Sequence, residues 1–140
     1  MIKKPTDELM KELQCSNNID RYIKENEQHF VDLTISEFLN EYVKAKNLVK
    51  SQIFKNSEMN DIYGYQIFSG SRTPSRNTLI SLCVGMEMTV DEVQATLKIA
   101  GFAILYPKNK RDAIIIHGIN TKQSVFEINN TLYNNSEETL

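Results

Sequence analysis
The chain has 140 residues, 41% of them hydrophobic. That suits one packed domain with a small accessory part and argues against global disorder. There is no run of eighteen apolar residues and no signal-peptide pattern, so a cytoplasmic protein without membrane contact is expected. The net charge of −2 argues only weakly against simple nucleic-acid binding.

Charge is unevenly spread. Residues 1–40 carry 5 basic and 8 acidic groups, residues 41–80 carry 6 and 3, and residues 81–140 carry 5 and 7. The positive excess falls on the middle segment, which is the footprint that DNA binding requires.

Two short helices are predicted near 6–14 and 18–28, split by Ser16-Asn17-Asn18. Leu9, Leu13, Ile19, Tyr22, Ile23 and Phe30 could cover part of a bundle. The acidic side chains here would repel phosphate, so residues 1–33 read as an arm that covers the domain or meets a protein partner. Thr34 and Glu37 have capping-box spacing. Ile35, Phe38, Leu39, Tyr42 and Val43 follow at amphipathic intervals, up to Lys46-Asn47. A helix pair is predicted over 49–57 and 60–69, with Asn60 as N-cap and Gly70 as the left-handed stop. Tyr63 and Phe68 read as core residues. Ser75 caps a mostly buried helix containing Leu79, Ile80, Leu82, Cys83 and Met86. Thr89 and Glu92 form a second box, before Val90, Val93, Leu97 and Ala100, with Gly101 closing that helix.

Phe102 to Tyr106 is too short and apolar for a helix and is expected to be an extended connector. Ile114, Ile115 and Ile116 would also suit a strand, but Asn109 with Asp112 resembles a box and no partner strand is evident, which favours a helix. Ser124 with Glu127 opens the last helix, with Val125, Ile128, Leu132 and Tyr133 apolar. Residues 134–140 are expected to be disordered. The expected division is therefore an arm over 1–33, a domain over 34–101, a helical extension over 102–133 and a tail.

The segment Ile67-Phe68-Ser69-Gly70-Ser71-Arg72-Thr73-Pro74-Ser75, with Leu48, Ile53 and Met59 upstream, resembles the Cro and phage-repressor (XRE-type) helix-turn-helix family. The resemblance covers roughly residues 34 to 101. It implies an all-α fold: a compact helical bundle of the phage-repressor-like helix-turn-helix type, here with N-terminal and C-terminal helical extensions. The chain departs from the family in carrying Phe54 for a small residue, Glu58 for Gly and Gly64 for Val or Ile. Phe54 and Gly64 should face each other, and such an exchange conserves volume. Phe68 and Lys50 stand for the usual Glu and Gln.

What the resemblance implies is a sequence-specific transcriptional regulator that inserts helix 60–69 in the major groove of double-stranded DNA. The implied contacts are Asn60, Ile62, Tyr65, Gln66 and Ser69 on the outward face, Lys50 and Ser51 at the start of the first helix, and Arg72 and Arg76 clamping the backbone. Gln66 suits adenine, and Ile62 or Tyr65 a thymine methyl. Asp61 on the same face opposes phosphate but suits the positive end of its helix. A homodimer on two half-sites is expected, with Phe102 to Tyr106 and Ile114 to Ile116 offering a dimer surface.

The alternative is a protein-interaction module, an adaptor or antitoxin-like regulator that kept the fold but lost or weakened DNA binding, with partners met through the acidic arms. An apolar or acidic face on helix 60–69 would favour it. No catalytic residue, metal site or cofactor is expected. His29 and His117 belong to no ligand pattern, and no phosphate loop or nucleophile motif is present.

Overall fold
A computed structural model describes residues 5–27 and 33–140. All regular structure among them is helical, with no strand. By its internal contacts the chain divides into Met1–Asp32 and Leu33–Leu140.

The first unit holds α1 (Thr6–Cys15) and α2 (Ile19–Glu25). The Asn18 side chain caps α2 by accepting from the Arg21 N–H at 3.2 Å. Arg21 and Glu25 pair at 2.8 Å across one exposed turn. Neither helix buries an apolar side chain: Met10, Leu13, Ile19 and Ile23 are all exposed. The expected contributions of Phe30 and His29 fall outside the described residues.

The second unit contains α3 (Ile35–Lys46), α4 (Lys50–Asn56), α5 (Asp61–Ser69), α6 (Arg76–Gly85), α7 (Val90–Ile99), α8 (Lys110–Asn120) and α9 (Val125–Asn134). Its helix starts follow the sequence signals. Thr34, Thr89 and Ser124 each form a full capping box with the Glu three residues on. Each cap satisfies amides that the helix itself leaves unpaired, worth about 1 kcal/mol apiece. α6 packs against α4, α7 and α9, which explains its nearly all-round apolar sequence. Leu79, Ile80, Leu82 and Cys83 are sealed from solvent. Around them lie Leu39, Ile53, Phe54, Ile67, Val93 and Leu97, each giving about 1.5–3 kcal/mol on burial. Tyr42 of α3 lies beside Glu92 of α7; burial first, then that carboxylate, pushes the phenol up to about 12.

Leu105, Ile115, Ile119, Ile128 and Leu132 belong to the same core. Residues 102–133 are therefore built into the unit, not appended to it. Ile114, Ile116 and Phe102 are also partly buried against this core, whereas Ile104 and Tyr106, on the same expected dimer surface, stay exposed. Of the apolar residues on the last helix, Val125, Ile128 and Leu132 are buried and Tyr133 is 76% exposed.

The connector 102–106 has no regular structure, and side chains take its backbone groups. The Gln94 carboxamide donates to the Leu105 carbonyl and accepts from its N–H, both at 2.8 Å. Asp112 accepts from the Tyr106 N–H at 3.0 Å. That contact, with an ion pair to Arg76, occupies the carboxylate expected to close a reciprocal box with Asn109; Asn109 caps α8 alone.

The tail expected to be disordered is tethered. Lys110 Nζ donates to the Asn135 carbonyl at 2.9 Å, and Arg111 Nε to that of Glu138 at 2.7 Å. The Leu140 N–H reaches Asn129 Oδ1 at 2.8 Å, and its side chain meets the core.

Candidate nucleic-acid interface
The segment between α4 and α5 is a turn of four residues. Glu58 adopts φ +57°, the left-handed conformation that a glycine takes without penalty. The Met59 N–H bonds back to the Phe54 carbonyl at 2.9 Å, and Ser57 Oγ to that of Ile53 at 2.7 Å. These bonds satisfy the carbonyls at the end of α4 and fix the angle at which α5 leaves.

The two helices meet through Phe54 and Gly64. A Cβ on Gly64 would stand 2.5 Å from the Phe54 ring, so only glycine leaves room for it. The same ring meets Tyr65 edge-on at 5.0 Å and Phe68 at 5.7 Å between centroids. Asn40 of α3 ties down the far end of α5, donating to the Phe68 carbonyl at 2.7 Å and the Ser36 carbonyl at 2.8 Å. Sequence reasoning missed Asn40; its one signal was a polar side chain beside the apolar stripe of α3. Gly70, at φ +84°, ends α5, and the Arg72 N–H returns to the Gln66 carbonyl at 3.2 Å.

The outward face so positioned is mixed. Ile62 is 71% exposed and Tyr65 49%, although the Tyr65 ring rests on Phe54. The Gln66 side chain is half-buried and makes no hydrogen bond within the described residues. Asn60 Oδ1 is spent on capping, accepting from the N–H groups of Ile62 and Tyr63, which leaves its amide as the outward donor. The Ser69 hydroxyl is likewise engaged, donating to the Gln66 carbonyl at 3.0 Å. Ser51 is exposed on α4. Lys50 Nζ lies 5.1 Å from the Phe68 ring centroid, and the Arg72 guanidinium 5.2 Å from that of Tyr63. Both cations are thus held at opposite ends of α5 by aromatic faces. α5 itself contains no Lys or Arg, and Asp61 starts it.

Arg76 differs from its expected role. Its Nε donates to the Ala103 carbonyl at 2.9 Å, and Nη2 lies 3.4 Å from Asp112 Oδ2. With side-chain exposures of 24% and 11%, this pair anchors the connector, and Arg76 is not free to clamp a DNA backbone. The partner lies 36 residues away, which no local pattern could reveal.

Among the described residues no group of three or more His, Cys, Asp or Glu side chains could hold a metal, and no helix is long and apolar enough to cross a membrane. No protein-family model, curated protein or solved structure matches this chain.

Proposed function
We propose that this protein is a sequence-specific DNA-binding transcriptional regulator of the helix-turn-helix type, laying α5 in the major groove. The observation that carries this reading is the locked pair α4–α5. One face of α5 is keyed into Phe54, and the other presents Ile62, Tyr65 and Gln66 between two ring-held cations. Gln66 reads adenine, Ile62 and Tyr65 meet thymine methyls, and Lys50, Ser51 and Arg72 take phosphates. The protein acts in the cytoplasm as a homodimer on half-sites about one helical turn apart.

The test is selection from a randomised duplex pool, then titration of the enriched duplex at several salt concentrations. Gln66→Ala should lose about 1–3 kcal/mol of discrimination at one base pair and bind other sequences as before. Lys50→Ala with Arg72→Ala should weaken binding to all sequences and lower the salt slope by up to about 1.8, since each phosphate contact contributes about 0.9.

A second reading is favoured by one specific feature. The exposed Ile62 and Tyr65, with Asp61 and no cation on α5, make a face that also suits a protein partner. In that reading the chain is an adaptor or antitoxin-like regulator. A pool that yields no enriched sequence and no salt-dependent retention would decide for it.

A further inference from the structure
The run Lys108-Asn109-Lys110-Arg111 lies outside the segment proposed to read DNA, yet it is the densest group of cations in the chain. The fold brings it to one particular place. Arg76, in the first turn of α6, grips the connector at Ala103, just ahead of this run. Arg111 Nη2 donates to Asn77 Oδ1 at 2.9 Å, fastening the start of α8 to the first turn of α6. Arg76, Lys108, Lys110 and Arg111 thus line one open hollow of about 600 Å³, with Asp112 and Glu137 as its acids. Four cations against two carboxylates leave it with two net positive charges. Arg76 and Asp112 neutralise each other, and Lys108 and Lys110 are exposed.

One wall of this hollow, Arg76, follows closely in the chain on the exit of α5. Arg72 bonds to the last turn of α5, and only three residues separate it from Arg76, a span of at most about 14 Å of chain. Double-stranded DNA carries one charge per about 1.7 Å of its axis, so a duplex docked on α5 presents further phosphates to any cationic surface at that distance.

We infer that Lys108 and Lys110 form a second phosphate-binding surface, which extends the DNA footprint from the α5 exit onto the start of α8. The inference rests on the DNA-binding reading of α5. In it, Lys108 and Lys110 make the contacts, while Arg76 and Arg111 are positioning residues that hold the run against α6. The surface reads no sequence; it adds affinity and salt dependence.

The experiment uses the full chain and a random-sequence duplex of 40 base pairs, so it requires no knowledge of a preferred site. Affinity is measured across a series of salt concentrations for wild type, for Lys108→Ala with Lys110→Ala, and for Lys122→Ala as a surface-charge control. The double variant should show a salt slope shallower by about 1.8 and a loss of affinity that shrinks as salt rises. Lys122→Ala should bind as wild type. Thermal unfolding of each variant separates loss of contact from loss of fold, because Lys110 also holds the Asn135 carbonyl. If that bond disturbs the fold, Lys108→Ala alone should lower the slope by about 0.9. A wild-type protein with salt-dependent binding that both variants leave unchanged would overturn this inference and spare the role of α5. A wild-type protein with no affinity for the duplex would overturn both.

Discussion
The first unit and the second are both helical, but among the described residues only the second encloses a core. α1 and α2 have a cap, an ion pair and amphipathic spacing, yet every apolar side chain the structure describes on them except the half-buried Leu9 and Tyr22 is exposed. α6 has nothing beyond its Ser75 cap at the local level, yet it is the most deeply buried helix of the body. The difference teaches that caps decide where a helix begins, whereas tertiary packing decides whether it holds.

The sharpest contrast is chemical, because each unit carries one free thiol. Cys15 is exposed and Cys83 is sealed, and burial pushes the Cys83 thiol up to about 12. The thiolate is the reactive form. Alkylation at pH 8 should therefore modify Cys15 at least about a thousandfold faster than Cys83, which reacts only when the body opens. Mass spectrometry of the time course checks this, and comparable rates would erase the distinction between the units.

Smaller, but still large, is the effect of truncating a core residue. Leu79→Ala should cost about 2–5 kcal/mol in urea unfolding. Leu13→Ala in α1 should stay within about 0.5 kcal/mol. A Leu13 variant as damaging as the Leu79 one would mean that the arm buries this side chain in solution.

The smallest expected effect tests a cap by pH. The Thr89 N–H bonds to the Glu92 carboxylate at 2.9 Å and holds its pKa below the usual 4.5. Ionised Glu92 thus favours the folded state. Its contribution is complete above about pH 4.5 and fades as pH falls through the lower folded value. Glu92→Gln should flatten this part of the acid limb when melting temperature is followed from pH 6 to 3. An unchanged limb would assign the acid sensitivity to other groups.

Local grammar was legible in the sequence. The three capping boxes, the Ser75 and Asn109 caps and the stop at Gly70 all appear where spacing places them, and Phe54 meets Gly64 as the resemblance implies. What stayed hidden depends on partners far apart in the chain. Arg76 looks like a surface cation until Asp112 and the connector carbonyls are brought to it. The tail, polar and short of apolar residues, looks disordered until Arg111 and Asn129 take its backbone groups. On the candidate interface, sequence indicated which side chains α5 turns outward, but not that Asn60 and Ser69 spend part of their hydrogen-bonding capacity on the ends of their own helix.

Phe102 to Tyr106 is the kind of short apolar run that, with open amides and carbonyls, templates aggregation between chains. Here the Gln94 carboxamide occupies both sides of Leu105, Arg76 covers Ala103, and Asp112 covers Tyr106. Three polar side chains thereby do the work of a neighbouring strand, and the run is withheld from fibril growth for as long as α6, α7 and α8 stay in place.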